Sequence, residues 1–240
     1  MATRTSRQTP EIGGDAMARI ESAATRLFIL HGYNGVSYLD IARELGITHP
    51  SIHYYYRTKA VLAEAVLRRV AESTLEAMKG IWTETGSTLF DKFVATRNWI
   101  YAQYLLSNPG GRGGKPWGLL WRLSMDADSL PAGMKRFLRA NVDKLEDYIA
   151  AGVSAAVAEH ELAADAPVEG ITLQIASLMS ATGQVTRHSA GFERLDALMR
   201  WTYTGFVRAY APAGARVKAW PALSAAAELH QSAMEGVAQW

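Results

Sequence analysis

SYLDIARELGITHPSIHYYYRTK, residues 37–59, reads as two short helices joined at a glycine, with three consecutive tyrosines on the second and a lysine just beyond it. Ser37 precedes an apolar helix and Asp40 lies three residues on, a capping-box pattern that satisfies free N–H groups of a first turn. Ile41, Ala42 and Leu45 share one face of that helix, and Ala42 is small where a second helix must come close. Gly46 predicts the stop, because positive φ there costs glycine nothing. Ile47 is a plug under the turn, Thr48 is placed to cap the next helix, and Pro50 falls in its first turn, where N–H groups lack partners anyway. With Ile52 facing inward, His49, Ser51, His53 and Tyr54 are left facing out near the helix end that enters a major groove in helix-turn-helix motifs. Of Tyr55 and Tyr56, at least one should pack while its neighbour reaches a phosphate. An ordinary helical corner shares this spacing. What favours DNA is the surface: Thr, His, Ser and Tyr side chains without a carboxylate, which suits a polyanion.

Outward from the motif the chain reads as helix almost throughout. Ile20, Ala23, Ala24, Leu27 and Phe28 form an amphipathic stripe that predicts a helix from about Asp15 to His31. A long helix is expected from Thr58 to about Thr83, with Leu62, Val66, Leu67 and Val70 inward. Another follows over about 87–106, and further helices over 116–126, 131–158, 168–188 and 192–210. Alternating strand patterns do not appear, so the fold class is all-α. Between two helices lies SNPGGRGGKPWG, residues 107–118, whose five glycines and two prolines predict a mobile surface loop. It lacks the spacing of a phosphate-cradling loop.

The order of these parts resembles the N-terminal domain of the TetR family of transcriptional regulators. The resemblance covers residues 17–67, about a fifth of the chain. An amphipathic first helix ends in Gly32, Tyr33, Gly35, Val36 and Ser37; Asp40 to Ile47 follow as D-I-A-x-x-L-G-I; Thr58 and Lys59 open the long helix. Family members usually carry Tyr where His53 stands, His where Tyr55 stands and Phe where Tyr56 stands. The resemblance implies a double-stranded DNA operator of inverted-repeat form, contacted by Ser37, Thr48, His49, Pro50, Ser51, His53, Tyr54, Tyr55 and Lys59, with Lys59 on a phosphate. It also implies a second helical domain that binds a small effector and dimerises through its last two helices. Effector binding would move the long helix and change the separation of two recognition helices, so that the operator is released.

Composition agrees with that organisation. At 240 residues the chain is long enough for a flexible arm over 1–14, a helix-turn-helix domain over 15–60, a larger helical domain over 61–210, and a tail over 211–240 with a possible helix at 222–236. Net charge is +2: residues 1–60 hold seven Lys/Arg against five Asp/Glu, and the remainder holds eighteen of each. The small excess lies on the DNA side, so affinity must come from placed phosphate contacts. No run of 18 apolar residues predicts a membrane span, and the first residues lack the apolar core of a secretory signal. Cysteine is absent, which excludes disulfides and thiolate metal sites. A cytoplasmic location is the default expectation, and no cofactor is expected.

The second domain is rich in aromatics at helical spacings: Trp82, Phe90, Phe93, Trp99, Tyr101, Tyr104, Trp117, Trp121, Phe137 and Tyr148. Core packing accounts for most of them. Rigid rings near a flexible loop can also enclose an apolar cavity. With the resemblance, this gives an expected pocket for an apolar or aromatic effector, walled by Trp99, Gln103, Tyr104, Trp117, Trp121 and Phe137, with residues 107–114 as its gate. In ITLQIASLMSATGQ, residues 171–184, small residues permit close helix approach, and the next helix presents Leu195, Leu198, Met199, Tyr203, Phe206 and Val207. Homodimer contacts are expected at Leu178, Leu198, Tyr203 and Phe206, against the alternative of packing within one chain.

Enzymatic readings fail. His49 and His53 have the i, i+4 spacing of a helical metal pair but no third ligand beside them, and Glu159, His160 and Glu161 read as a solvated helix end. No G-x-S-x-G is present. Three readings stay open: a repressor released by a small molecule, a DNA-binding regulator without an effector and controlled by a protein partner, and a helical binding protein that has lost DNA affinity. The intact caps and Lys59 speak against the third.

Overall fold

The computed structural model describes residues 10–223. The first nine residues of the expected arm, and all but the start of the expected tail helix at 222–236, lie outside them. Nine α-helices and no strand are present among the described residues. They are α1 Pro10–His31, α2 Tyr38–Leu45, α3 His49–Tyr55, α4 Lys59–Thr83, α5 Leu89–Ser107, α6 Leu119–Met125, α7 Ala132–Ala158, α8 Val168–Ser189 and α9 Glu193–Tyr210. Helix α1 starts five residues before the expected Asp15. Gly13 and Gly14 weaken helix propensity by roughly 1 kcal/mol each, which hid the first turn, but Pro10 at the start has the φ a helix needs.

Three hydrophobic clusters organise the helices. The first joins α1–α4 through Ile20, Phe28, Ile41, Ile52, Leu62 and Leu67, and it also takes in Leu119 and Leu123 of α6 and Met134 of α7. The second packs the far end of α4 with α5, α7, α8 and α9 around Trp82, Phe93, Val153 and Phe206. The third lies between α5, α8 and the start of α9, around Tyr104, Leu178 and Phe192. Helix α4 therefore belongs to both halves, and α6 is clamped to the N-terminal one.

Glycines set the closest approaches in the second half. A Cβ on Gly152 of α7 would lie 2.8 Å from the Trp82 ring, and one on Gly183 of α8 would lie 2.8 Å from the Trp121 ring. The second of these is the close approach that the small residues of 171–184 predict. The glycine-rich segment differs from the mobile loop expected of it. Asn108 donates to the Lys115 carbonyl at 3.2 Å and accepts from the Lys115 N–H at 3.0 Å. The Gly113 N–H donates to the Ala190 carbonyl at 2.9 Å, and Tyr104 Oη donates to the Gly113 carbonyl. Its glycines let the backbone lie against the α8–α9 turn: a Cβ at Gly114 would come within 3.0 Å of the Arg187 carbonyl oxygen. That tethering leaves no freely swinging gate over residues 107–114.

Candidate functional site

The helix-turn-helix is built as its sequence dictates. Ser37 caps α2 with a full capping box, its Oγ accepting from the Asp40 N–H at 3.3 Å while the Asp40 carboxylate accepts from the Ser37 N–H at 2.8 Å. Bonds donated to the carboxylate by the Ser37 hydroxyl, at 2.6 Å, and then by its N–H hold the Asp40 carboxyl below its ordinary pKa. Gly46 closes the helix at φ 65°. Thr48 departs from its expected capping role. Its hydroxyl pairs with Ser51 Oγ at 2.8 Å, and the Ser51 N–H is taken instead by the Thr48 carbonyl at 3.0 Å. Ile52 is fully buried beneath α3.

The three tyrosines divide. Tyr56 is buried, its ring hydroxyl donating to Glu21 while its carbonyl accepts from Tyr38 Oη at 2.9 Å. Burial, reinforced by Glu21, raises the Tyr56 pKa, and burial pushes that of Tyr38 up to about 12. Both rings stay neutral and act as hydrogen-bonding pegs. Arg69 of α4 also pairs with Glu21 at 2.8 Å, so one carboxylate gathers α1, the end of α3 and α4. Tyr55 is half-buried, whereas Tyr54 is 82% exposed.

What faces out of α3 is a row of hydrogen-bonding rings. His49 and His53 are exposed, their centroids 4.6 Å apart, and Tyr38 lies 4.7 Å from His53. Pro50 and Tyr54 are exposed beside them, and Ser51 is half-buried. Ser37, Tyr38, His49, His53 and Lys59 line a shallow cleft of about 580 Å³ beside α3. Lys59 sits differently from the free phosphate clamp expected of it. Its ammonium donates to the Tyr33 and Val36 carbonyls at 2.9 and 3.1 Å, and lies 4.5 Å from the Tyr33 ring centroid. Being in the first turn of α4, it reaches back to the α1–α2 turn and satisfies carbonyls there.

The expected effector residues divide, with Tyr104, Trp117 and Trp121 gathered where α5, α6 and α8 meet and Phe137 elsewhere. Tyr104 is fully buried between Phe192 and Trp117. Trp117 donates from Nε1 to Thr186 Oγ1 at 2.9 Å, Trp121 lies on Gly183, and Trp99 packs between the second and third clusters. Gln103 is half-buried. Phe137 packs instead against the first cluster, with the Arg68 guanidinium 4.5 Å from its ring centroid. It belongs to the joint between the halves, because the start of α7 leans on α4 near Leu67. Two concavities stand out among the described residues, the α3 cleft and a groove of about 430 Å³ between α8 and α9, and neither is walled by these rings.

The assembly residues need correcting too. Leu178, Tyr203 and Phe206 are buried inside their own chain, Tyr203 and Phe206 against Phe93 and Leu178 in the third cluster. Their apolar periodicity serves the domain's own core. Leu198, by contrast, is 40% exposed and Trp201 is 58% exposed. Together with Gln184, Val185, His188 and Arg194 they line the α8–α9 groove, and Leu173 extends the apolar exposure along α8. Trp201 went unnoticed in the sequence because it stands beside the buried stripe rather than on it.

A joint between the two halves was also not foreseen. Asp126, just after α6, accepts from the Tyr33 N–H at 2.8 Å and from Arg122 Nη1 at 2.7 Å. Gly32, at φ +74°, is packed so closely by this pair that an added Cβ would overlap Arg122 and Asp126. The link spans 93 positions of sequence, and no local pattern signals it.

A helix-turn-helix, a shared α4 and a helical second half make up the architecture. Residues 20–66 match the family described as bacterial regulatory proteins, tetR family. No curated protein matches the chain. Among solved structures, the chain is similar to the reduced form of E. coli NemR, with 16% identity, 87% of this chain and 99% of that one covered, and a TM-score of 0.64. It is similar to a TetR transcriptional regulator from Legionella pneumophila, at 17% identity, 84% and 100% coverage and a TM-score of 0.64. A TetR-family regulator from Agrobacterium tumefaciens gives 20% identity, 82% and 99% coverage and a TM-score of 0.67. At such identities these structures speak for the fold. Residues 20–66 thus carry the N-terminal domain of that family, and the chain as a whole shares the fold of these structures.

Proposed function

We propose that the chain acts in the cytoplasm as a homodimeric repressor that holds an inverted-repeat operator through α3 and releases it when a small, largely apolar molecule engages the second half. The observation that carries the DNA reading is the outward row of His49, His53 and Tyr54 on a helix held by the Gly46 turn and by buried Ile52 and Tyr56. Ser37, Thr48, Pro50, Ser51 and Tyr55 flank that row and supply further contacts to the backbone or to base edges. Lys59 supports the turn that presents Ser37. The dimer forms through the outward face of α8 and α9, with Leu173, Leu198 and Trp201 at its centre.

Support for an effector comes from buried polar atoms without a hydrogen-bond partner, Trp82 Nε1, Thr96 Oγ1 and Thr172 Oγ1, on α4, α5 and α8. Such atoms are few in a settled core, and a largely apolar molecule carrying a hydrogen-bonding group would satisfy one of them. The close packing of Tyr104, Trp117 and Trp121 favours a second reading, in which a protein partner controls release and no small molecule enters among these rings.

Selection of DNA from a random duplex library tests the central reading. An inverted repeat should be enriched. His53→Ala should relax base choice at one position in each half-site, by roughly 1–3 kcal/mol of discrimination. A footprint with unchanged preference removes His53 from the reading set, and a library with no enriched sequence sinks the DNA reading.

A further inference from the structure

Beyond α9 the chain has no helix over residues 211–223, and residues 212–219 are exposed, yet Trp220 is half-buried against the domain and exposed Pro221 is tied to it through its carbonyl. Trp220 donates from Nε1 to Asp196 Oδ1 at 2.9 Å. Its ring lies 6.0 Å from Phe90 and 6.2 Å from Tyr203, with the Arg97 guanidinium 5.2 Å from its centroid. The next carbonyl, that of Pro221, accepts from Arg97 Nη1 at 2.7 Å. Arg97 is only 1% exposed. Its other bonds go to Asn98 Oδ1, at 3.0 and 2.8 Å, and to Asp196 Oδ1 at 3.2 Å.

A buried guanidinium is costly unless every donor is met. Here Asp196 balances its charge, and a neutral carbonyl from the strap takes a further hydrogen bond from Nη1. One indole and one carbonyl thus enter a box of two aromatic rings, a buried cation and a carboxylate. Elsewhere on the strap, Lys218 reaches Thr88 Oγ1 at 3.2 Å and lies 5.2 Å from the Phe90 ring centroid, and Leu223 packs against the third cluster.

We propose that the box formed by Phe90, Arg97, Asp196 and Tyr203 is a binding site for a neutral planar aromatic molecule that carries an N–H donor and a carbonyl acceptor, of the indole-amide kind, and that Trp220 and Pro221 are its tethered occupant. The chemistry is selective in three ways. A purely apolar molecule would forfeit both bonds the strap now makes, the N–H to Asp196 and the carbonyl on Arg97. A carboxylate would bring a second anion beside Asp196. A flat ring with an N–H satisfies Asp196 while stacking beneath Arg97, as the indole does. The tether competes at an effective concentration in the millimolar range, so a free ligand must outbid it by affinity or by abundance. Asp196 lies in the first turn of α9, whose outward face bears Leu198 and Trp201. Exchange of strap for ligand therefore acts on the helix proposed for dimer contact, a consequence that rests on the regulator reading above, whereas binding itself does not.

The test uses the full chain and N-acetyl-tryptophanamide, titrated by calorimetry into the native protein and into Trp220→Ala. The variant should bind saturably and at least about tenfold more tightly than the native protein, because its tethered competitor is gone. The same compound methylated on the indole nitrogen should bind the variant about tenfold more weakly, since it loses the N–H bond to Asp196 and sets a methyl group against the carboxylate. A helical, soluble Trp220→Ala protein that binds no more tightly than the native one overturns the proposal, as does equal affinity for the two compounds. If Trp220→Ala does not fold, Lys218→Ala replaces it, cutting the strap at its exposed end; affinity above the native protein's is then expected, and equal affinity overturns the site. Operator binding is measured alongside. Lost operator binding by the native protein would sink the regulator reading and leave the ligand result standing, while failed titrations beside intact operator binding would sink this site alone.

Discussion

Trp201 and Phe206 lie five positions apart on α9 and should behave in opposite ways. Trp201 is 58% exposed in the isolated chain and Phe206 is 4% exposed. A tryptophan carries roughly 250 Å² of buryable surface, so about 140 Å² of Trp201 is available to a partner. At about 25 cal/mol per Å² that is near 3.5 kcal/mol, and the loss on truncation to alanine falls to about 2 kcal/mol per copy once ordering and imperfect packing are deducted. A two-fold interface counts every change twice. Trp201→Ala should therefore weaken dimerisation by about 4 kcal/mol, close to a thousandfold in dissociation constant, with the fold of each protomer intact. Phe206→Ala opens the second cluster beside Phe93, and should cost the fold about 3–5 kcal/mol. Sedimentation velocity from nanomolar to micromolar protein, paired with urea unfolding, separates the two. If Trp201→Ala leaves the dimer constant unchanged, or if a stably folded Phe206→Ala chain is the one that turns monomeric, the outward face of α8 and α9 is not the interface.

Other residues give further outcomes. Lys59→Ala should lower stability by about 1–3 kcal/mol, because two carbonyls lose their donor; the salt slope of operator binding should stay within about half a unit of native, and a flattening of about one unit would assign Lys59 to a phosphate instead. Hydrogen bonds from Thr88, its hydroxyl foremost, hold the Asp91 carboxyl below its ordinary pKa, so the stability it lends is full above the unfolded carboxylate range and is lost as pH falls through the lower folded value. Asp91→Asn should accordingly flatten the acid limb of a stability-against-pH curve, and an unchanged limb would remove the cap from that account. Asp126→Ala should speed amide exchange at Tyr33 and neighbouring residues while α9 keeps its protection; uniform loss of protection would mean that Asp126 stabilises the whole chain rather than the joint.

How far the sequence could be read depended on how local the cause was. The Ser37–Asp40 box, the Gly46 stop and buried Ile52 involve groups within a few positions of one another, and each stands where residues 37–59 predict it. The helix ends from Thr58 to Tyr210 followed from the same local punctuation. Which apolar face meets what is a different kind of fact. Leu178, Tyr203 and Phe206 carry the same periodic signal whether they face their own core or a second copy, so periodicity alone could not tell the two apart. Phe137 was grouped with Trp121 by composition, yet the turn of chain before α7 carries it to Arg68 and the first cluster. For the glycine-rich stretch, composition spoke of freedom, whereas its lack of side chains is what lets Asn108, Tyr104 and Ala190 bind it down. Arg97, Asp196 and Trp220 meet across more than a hundred positions, and no spacing rule brings them together.

Two routes of different stiffness join the halves, and their difference bears on how a signal would travel. Helix α4 is continuous from Lys59 to Thr83, rooted at one end in the first cluster through Leu62 and Leu67 and at the other in the second through Trp82. A tilt imposed at Trp82 is carried along about 35 Å of helix at 1.5 Å per residue, so a small rotation there becomes a larger displacement at α3. The second route is the Asp126 contact to the Tyr33 N–H, which fixes α6 to the turn ahead of the capping box. Were α4 to swing with this contact kept, α6 would have to travel with the N-terminal half, and Trp121 at its centre would slide on Gly183 of α8. Across that surface lie a flat ring against a glycine and, just ahead of α6, one neutral side-chain hydrogen bond from Trp117 Nε1 to Thr186 Oγ1 at 2.9 Å, a weaker hold than the charged Asp126 contact. The yielding seam therefore lies between α6 and α8 rather than between α6 and α1. A molecule wedged there would push the N-terminal half as one rigid body, which is the motion that changes the separation of two recognition helices in a dimer.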